Sequence, residues 1–161
     1  MSDIENGALD HLRIIELGDI PASYATRWLA DLGADVIKVE PPGGDPSRLL
    51  PPFAGNIQDH ERSLTFIHAN TNKRSIVLDF EAGSHREIFA RLLAFANLLV
   101  ERTQLGYLDK FGFTDECFAS DFSHLVVVSI TPFGRTGLYR HYKGSDAIAN
   151  ATGGFLFGQG D

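Results

Sequence analysis

The 161 residues are 43% hydrophobic and 22% charged, an ordinary globular composition with room for one domain and a real core. A formal net charge of −7 argues against general attraction to nucleic acid or an anionic membrane, so an anionic ligand would need a local basic pocket. No apolar run approaches a membrane span, the acidic start MSDIENGALD lacks signal-peptide form, and the single Cys117 permits no intrachain disulfide, which together point to an intracellular, cytoplasmic setting.

Met1–Asp10 reads as a flexible lead-in. Arg13–Leu17 (RIIEL) is a short apolar run with β-branched residues, a buried-strand signal. Ala25, Trp28, Leu29 and Leu32 fall at helical spacing, which puts them on one core-facing side, and Gly33 stands where a left-handed cap is expected. Asp35–Val39 (DVIKV) is a second strand. Strand, short helix and strand predict a βαβ unit with parallel neighbours. Ligands bind such units where strands end and helices begin, which singles out Gly18–Ser23 and Glu40–Asp45. Five of the seven prolines lie between Pro41 and Pro52, a long extended loop rather than a linker between domains.

Arg62–Asn72 suits a short helix or a strand, and Ser75–Asp79 reads as a third strand. Ser84 and Glu87 have capping-box spacing, with Ile88, Phe89, Leu92, Leu93 and Ala96 as the apolar stripe of the helix behind them. Asn97–Val100 is a fourth strand, Leu105–Gly112 a helical turn, and Thr114 the N-cap of another helix. His124–Ile130 is apolar throughout and reads as a fifth strand buried on both faces. A glycine-rich turn at Pro132–Gly137 precedes a small-residue helix at Ser145–Ala151 and the glycine-rich end. The alternation predicts an α/β fold: an open parallel Rossmann-like sheet with helices on both faces.

The chemistry is mostly exclusion. No G-x-G-x-x-G follows the first strand, and there is no Walker A run or G-x-S-x-G elbow. The six histidines share no metal-ligand spacing, so no metal site is expected. Cys117, among apolar and acidic neighbours, reads as a buried structural thiol. Asn70–Arg74 offers two amides and two adjacent cations, equally a phosphate site or a polar turn. Asp146 reads first as a first-turn helix acid and second as a carboxylate at a cleft.

Four stretches in order resemble the class III CoA-transferase family, which also contains α-methylacyl-CoA racemases. They are Tyr24–Pro42 (YATRWLADLGADVIKVEPP), Asn70–Asp79 (NTNKRSIVLD), Leu99–Glu101 with Tyr107–Phe113 (YLDKFGF), and Ser129–Gly137 (SITPFGRTG) with Gly144–Asp146 and Ala151–Gly154. The resemblance implies the N-terminal part of that fold, with residues 1–161 as a CoA-binding domain. It implies acyl-CoA and carboxylic acid substrates, no metal, and an interlocked homodimer. In the implied chemistry an aspartate attacks the acyl-CoA thioester to form a mixed anhydride, and CoA then passes through an enzyme thioester to the acceptor acid.

It further implies CoA contacts at Ile20 and Pro21, at Leu78 and Asp79 near the adenosine, at Arg102, Thr103 and Gln104 in the same cleft, at Lys110 on a phosphate, and at Ile130–Phe133, including Thr131 and Phe133, along the pantetheine arm. The polar run adds Asn72, Lys73 and Arg74 as phosphate contacts. The chain departs from the family where Arg102–Gly106 replaces Asn-Phe-Arg-Pro-Gly, and where Pro132 replaces a frequent glycine. Ser145 stands where racemases carry a histidine, which argues against a racemase relative, one alternative; a non-catalytic CoA-binding module is another. The nucleophilic aspartate is expected beyond residue 161, leaving the chain alone inactive. Asp146 is the internal candidate, and Gly160-Asp161 fits a linking turn.

Overall fold

The apolar runs resolve into five parallel strands. The protein's structure, a computed structural model, describes residues 7–159. The strands are β1 (Arg13–Gly18), β2 (Asp35–Glu40), β3 (Arg74–Val77), β4 (Leu98–Arg102) and β5 (Val126–Ser129), in spatial order β3-β2-β1-β4-β5. They are linked in turn by α1 (Ile20–Asp31), α2 (Leu64–Asn70), α3 (Gly83–Phe95) and α4 (Asp115–Asp121), and α5 (Asp146–Thr152) follows the last strand. The chain builds outward on one side of β1 and then crosses to the other, so the topological switch point lies between β1 and β4. There Gly18 stands opposite Arg102.

Strand side chains alternate between two different cores. Ile15, Leu17, Val39 and Leu99 meet Phe89 and Leu93 of α3, with Phe113, Phe118 and Phe122 around α4. On the opposite face Ile14, Val36 and Val100 meet Ala22 and Ala30 of α1. That second face also carries charge. Glu16 and Lys38 are paired across β1 and β2 and are 0% and 1% exposed. Lys38 Nζ donates to Glu16 Oε1 at 2.7 Å, Ser23 Oγ at 2.8 Å and the Gly18 carbonyl at 3.0 Å, and lies 2.7 Å from Asp45 Oδ2. Glu16 Oε2 accepts from Thr26 Oγ1 at 2.6 Å and Lys73 Nζ at 2.8 Å. Burial alone would raise the Glu16 carboxyl, but the charges and hydrogen bonds of Lys38 and Lys73 hold it below its ordinary range.

This cluster decides which way α1 faces. Its buried residues are Ala22, Ser23, Thr26 and Ala30, small or hydroxylated, because the Glu16 oxygens need donors and the lysines need space. The expected face of Ala25, Trp28 and Leu32 therefore points outward, and Trp28, 57% exposed, packs edge-on against Tyr24. Gly33, at φ +104°, ends the helix as expected.

Other expectations change for similar tertiary reasons. β5 is an edge strand, and Val126 and Val128 are exposed rather than buried. α3 starts at Gly83 after an Ala82 N-cap, so Ser84 and Glu87 form no capping box; His85 Nδ1 instead accepts from the Asp79 amide at 2.9 Å. Cys117 is half-buried, and burial with the nearby Asp121 pushes its thiol up. The lead-in is pinned from Gly7 onward, with the Leu9 amide donating to the Leu32 carbonyl at 3.0 Å. Residues 1–6 of that lead-in and the Gly160-Asp161 pair lie outside the described residues.

The proline-rich loop folds back on the sheet as 3₁₀ turns at Pro46–Leu49 and Ala54–Asn56. Beyond it the ambiguous Arg62–Asn72 stretch is helical, with Ser63 capping α2. Arg48 is the strap. Its Nε and Nη2 donate to the two Glu40 oxygens at 2.8 and 2.9 Å, and its guanidinium lies 3.7 Å from the Phe66 ring centre. Burial pushes the Glu40 carboxyl up, but hydrogen bonds from Arg48, Ser75 and the Asp45 amide, with the Arg48 charge, bring it from 4.5 down to about 2.

The lowered value makes the Glu40 contribution full above its ordinary pKa and progressively lost as pH falls toward 2. The expected loss over that window is about 3 kcal/mol. Arg48→Leu leaves a buried carboxylate without its cation and should cost about 3 kcal/mol at pH 7. It should also flatten the acid limb of the stability profile, which urea denaturation between pH 2 and 7 measures.

Candidate functional site

The carboxyl ends of β1, β2, β3 and β4 open into a cleft of ≈ 280 Å³. Its walls are apolar: Leu17, Val39, Leu78 and Phe80 from the strand ends, Pro41 and Pro42 from the loop, and Tyr107 and Phe111 from beyond β4. Phe80, Tyr107 and Phe111 form one aromatic group, with ring centres 5.3 to 6.0 Å apart. Burial, with Glu81 and Asp79 nearby, pushes the Tyr107 phenol up, so it stays neutral. Such a wall suits a flat or apolar group.

Two wider depressions continue from this cleft. One, of ≈ 710 Å³, runs from Asp19 and Arg102 to a rim of Arg140, His141 and Lys143. The other, of ≈ 490 Å³, passes Pro21, Thr131 and Phe133 to Asp146. Arg102 lines all three. It leaves the end of β4 and pairs through Nη1 with Asp19 Oδ2. The chain fits this pair only through a glycine: Gly18 has φ +144°, and a Cβ there would lie 2.9 Å from the Arg102 Cβ. After β4 the chain bends because Glu101 Oε2 accepts from the Thr103 amide at 2.8 Å and hydroxyl at 2.7 Å. A chain of net charge −7 thus gathers Arg102, Arg140 and Lys143 around one depression.

The expected site residues divide. Asp79, Arg102, Thr103, Gln104, Thr131, Phe133 and Pro21 all line this system. Leu78 does so from within the core, at 2% exposure. Ile20 begins α1 beside it, and Lys110 is exposed on the 3₁₀ turn Leu108–Phe111, adjacent to the cleft wall. Asn72, Lys73 and Arg74 do not come to it. Asn72 donates to Asp31 at 2.8 Å, Lys73 is consumed by the Glu16 cluster, and Arg74 grips Asp35 at the amino edge of the sheet. Their contacts are those of a polar turn. Asp146 lies in the first turn of α5, which Ser145 caps, and it lines the third depression.

The sequence pointed to the stretch Gly18–Ser23 but gave Asp19 within it no role, and it did not single out Arg140 or Lys143. The run RHYK at Arg140–Lys143 was the available signal, a basic cluster in an acidic chain. Among the described residues, no group of three or more His, Cys, Asp or Glu could hold a metal ion.

A family model described as CoA-transferase family III matches residues 9–161. The chain is 41% identical over 145 residues to the BbsE subunit of succinyl-CoA:(R)-benzylsuccinate CoA-transferase of Thauera aromatica, covering 90% of this chain and 35% of that protein. It is 40% identical to succinyl-CoA:mesaconate CoA-transferase of Haloarcula hispanica, covering 93% and 39%. The crystal structure of a CAIB/BAIF family protein from Brucella suis superposes with a TM-score of 0.84 at 40% identity, covering 93% of this chain and 40% of the other. The chain therefore spans well under half the length of these relatives.

Gly18→Ala should be costly. It places a side chain at positive φ and against Arg102, which together should lose about 2 kcal/mol. Chemical denaturation gives the loss, and Arg102→Gly in the same background should recover little of it, because the Arg102 backbone N and O, each 3.0 Å from the added Cβ, stay in place.

Proposed function

The chain belongs to CoA-transferase family III, and on that premise we propose that it is the CoA-binding part of an enzyme moving CoA between a dicarboxylic acyl-CoA and a carboxylate acceptor. The observation that carries this reading is the meeting at Arg102 of an aromatic-walled cleft and a basic depression. CoA combines a flat base, several phosphates and an apolar arm, and the system offers one surface for each. The adenine goes to the wall of Phe80, Tyr107 and Phe111, near Asp79. The phosphates go to Arg102, Arg140 and Lys143, with Lys110 as a further point charge. The pantetheine arm follows Pro21, Thr131 and Phe133 toward Asp146. The names of the relatives supply the substrate class, succinyl-CoA as donor and a dicarboxylic acid as acceptor.

The proposed chemistry is covalent catalysis by an aspartate. Its carboxylate attacks the thioester carbonyl, and CoA leaves as a thiolate while acyl group and aspartate remain joined as an anhydride. The thiolate then attacks the aspartyl carbonyl, releasing the donor acid and leaving an enzyme CoA-thioester. The acceptor carboxylate reverses both steps. Arg102 and the basic rim hold CoA in place between them. Of the carboxylates that line the cleft, Asp19 is engaged by Arg102, Glu40 by Arg48 and Asp45 by Lys38, while Asp79 and Glu81 stand beside the aromatic wall given to the adenine. We therefore assign the nucleophile to sequence outside these residues, in a cytoplasmic homodimer, with Asp146 as the internal alternative.

In calorimetry CoA should bind more tightly than NAD or ATP, and a clear preference for NAD would sink the reading. Arg140→Ala should weaken CoA by about 1 kcal/mol if it meets a phosphate at an exposed site. In an acyl-exchange assay with labelled succinyl-CoA, turnover at native length should survive Asp146→Asn. Turnover abolished by that change would make Asp146 the nucleophile.

A further inference from the structure

Asp19 holds an unusual position. It is the N-cap residue of α1, yet its side chain makes no capping hydrogen bond. An N-cap side chain serves the amide at the second or third helical position; Pro21 has no N–H, so Ala22 is the one an Asp19 carboxylate would serve. Asp19 turns away from it and pairs with Arg102. Its second oxygen, Oδ1, is buried without any hydrogen-bond partner, the one such side-chain atom among the described residues. A buried carboxylate oxygen left without a donor is unfavourable, so the pair is a compromise for Asp19. It is also a compromise for Arg102, a residue that lines all three depressions while its guanidinium is held by an internal carboxylate.

We propose that Asp19 is an intramolecular competitor for Arg102. In the free protein its carboxylate occupies the guanidinium; when an anionic ligand takes Arg102, Asp19 swings back to cap α1 at the Ala22 amide. Asp19 is therefore a positioning residue that sets anion affinity without touching the ligand. Both arrangements satisfy the same two groups, which makes the element two-state rather than merely flexible. The apparent affinity for the anion is reduced by the fraction of protein in which Arg102 is released. The identity of the anion as CoA rests on the function proposed above; the competition does not.

The test is a double-mutant cycle on the protein at its native length, with Asp19→Asn, Arg102→Gln and their combination. CoA and inorganic pyrophosphate serve as separate probes. Asparagine keeps N-cap competence but removes the charge that competes. Asp19→Asn should tighten binding about fivefold, the scale of a partly exposed ion pair. Damage to the fold would not produce a gain. The gain should vanish in the Arg102→Gln background, and exchange of the Ala22 amide should slow when the probe binds wild type. A gain of equal size in the Arg102→Gln background would mean plain repulsion by Asp19 and overturn the proposal. So would weakened or unchanged binding by Asp19→Asn, no binding of either probe to that variant, or no slowing at Ala22. The full pattern with pyrophosphate but not with CoA would uphold the competition while removing the CoA assignment.

Discussion

The structure depends on one buried cluster, the two lysines and two carboxylates of Lys38, Lys73, Glu16 and Asp45. Buried ions are costly unless their partners are complete, and here each charge is met by an opposite charge and by hydroxyl or carbonyl groups. The cluster is also a joint. Lys38 stands in the middle of the sheet, yet it holds the Gly18 carbonyl at the end of β1 and Asp45 in the loop after β2. Both positions line the aromatic-walled cleft. A single ammonium thus ties two parts of its lining together.

The two faces of the sheet use different physics. The α3 and α4 side is a phenylalanine core, held by area burial and edge-to-face aromatic packing. The α1 and α2 side is held by directional contacts, first the Glu16 cluster and then Arg48 on Glu40. Area burial tolerates small shifts, whereas ion pairs and hydrogen bonds fix positions. The directional side is the one that carries the proline-rich loop, which is a wall of the cleft.

The electrostatics of the depression between Arg102 and Lys143 run against those of the chain. Acidic residues outnumber basic ones, 21 to 14, but the fold spends several acids on internal pairs and gathers cations at the switch point. Net charge therefore describes behaviour at a distance, while an anion entering that depression would meet a local basic rim. In Arg102 the two roles touch, since it is both part of that rim and the partner of an internal acid.

The sequence by itself determined the strand positions, the parallel order of the first βαβ unit, the Gly33 stop, and the apolar stripe of α3 through Phe89 and Leu93. These follow from local periodicity and from backbone preferences that neighbours in the chain impose. It also pointed to the ends of the first two strands as the ligand edge. Only the tertiary structure decided the rest. Trp28 faces solvent because charges beneath α1 require small hydroxylated residues there. β5 is half-exposed because being apolar on both faces does not make a strand central. Lys73 lies in the core and Arg74 at the far edge, because strand direction separates adjacent cations that the sequence presents together. Asp19 and Arg102 are 83 positions apart, and their pairing exists only because β1 and β4 lie side by side. Interactions between strands carry no local signature, and the site is made of them.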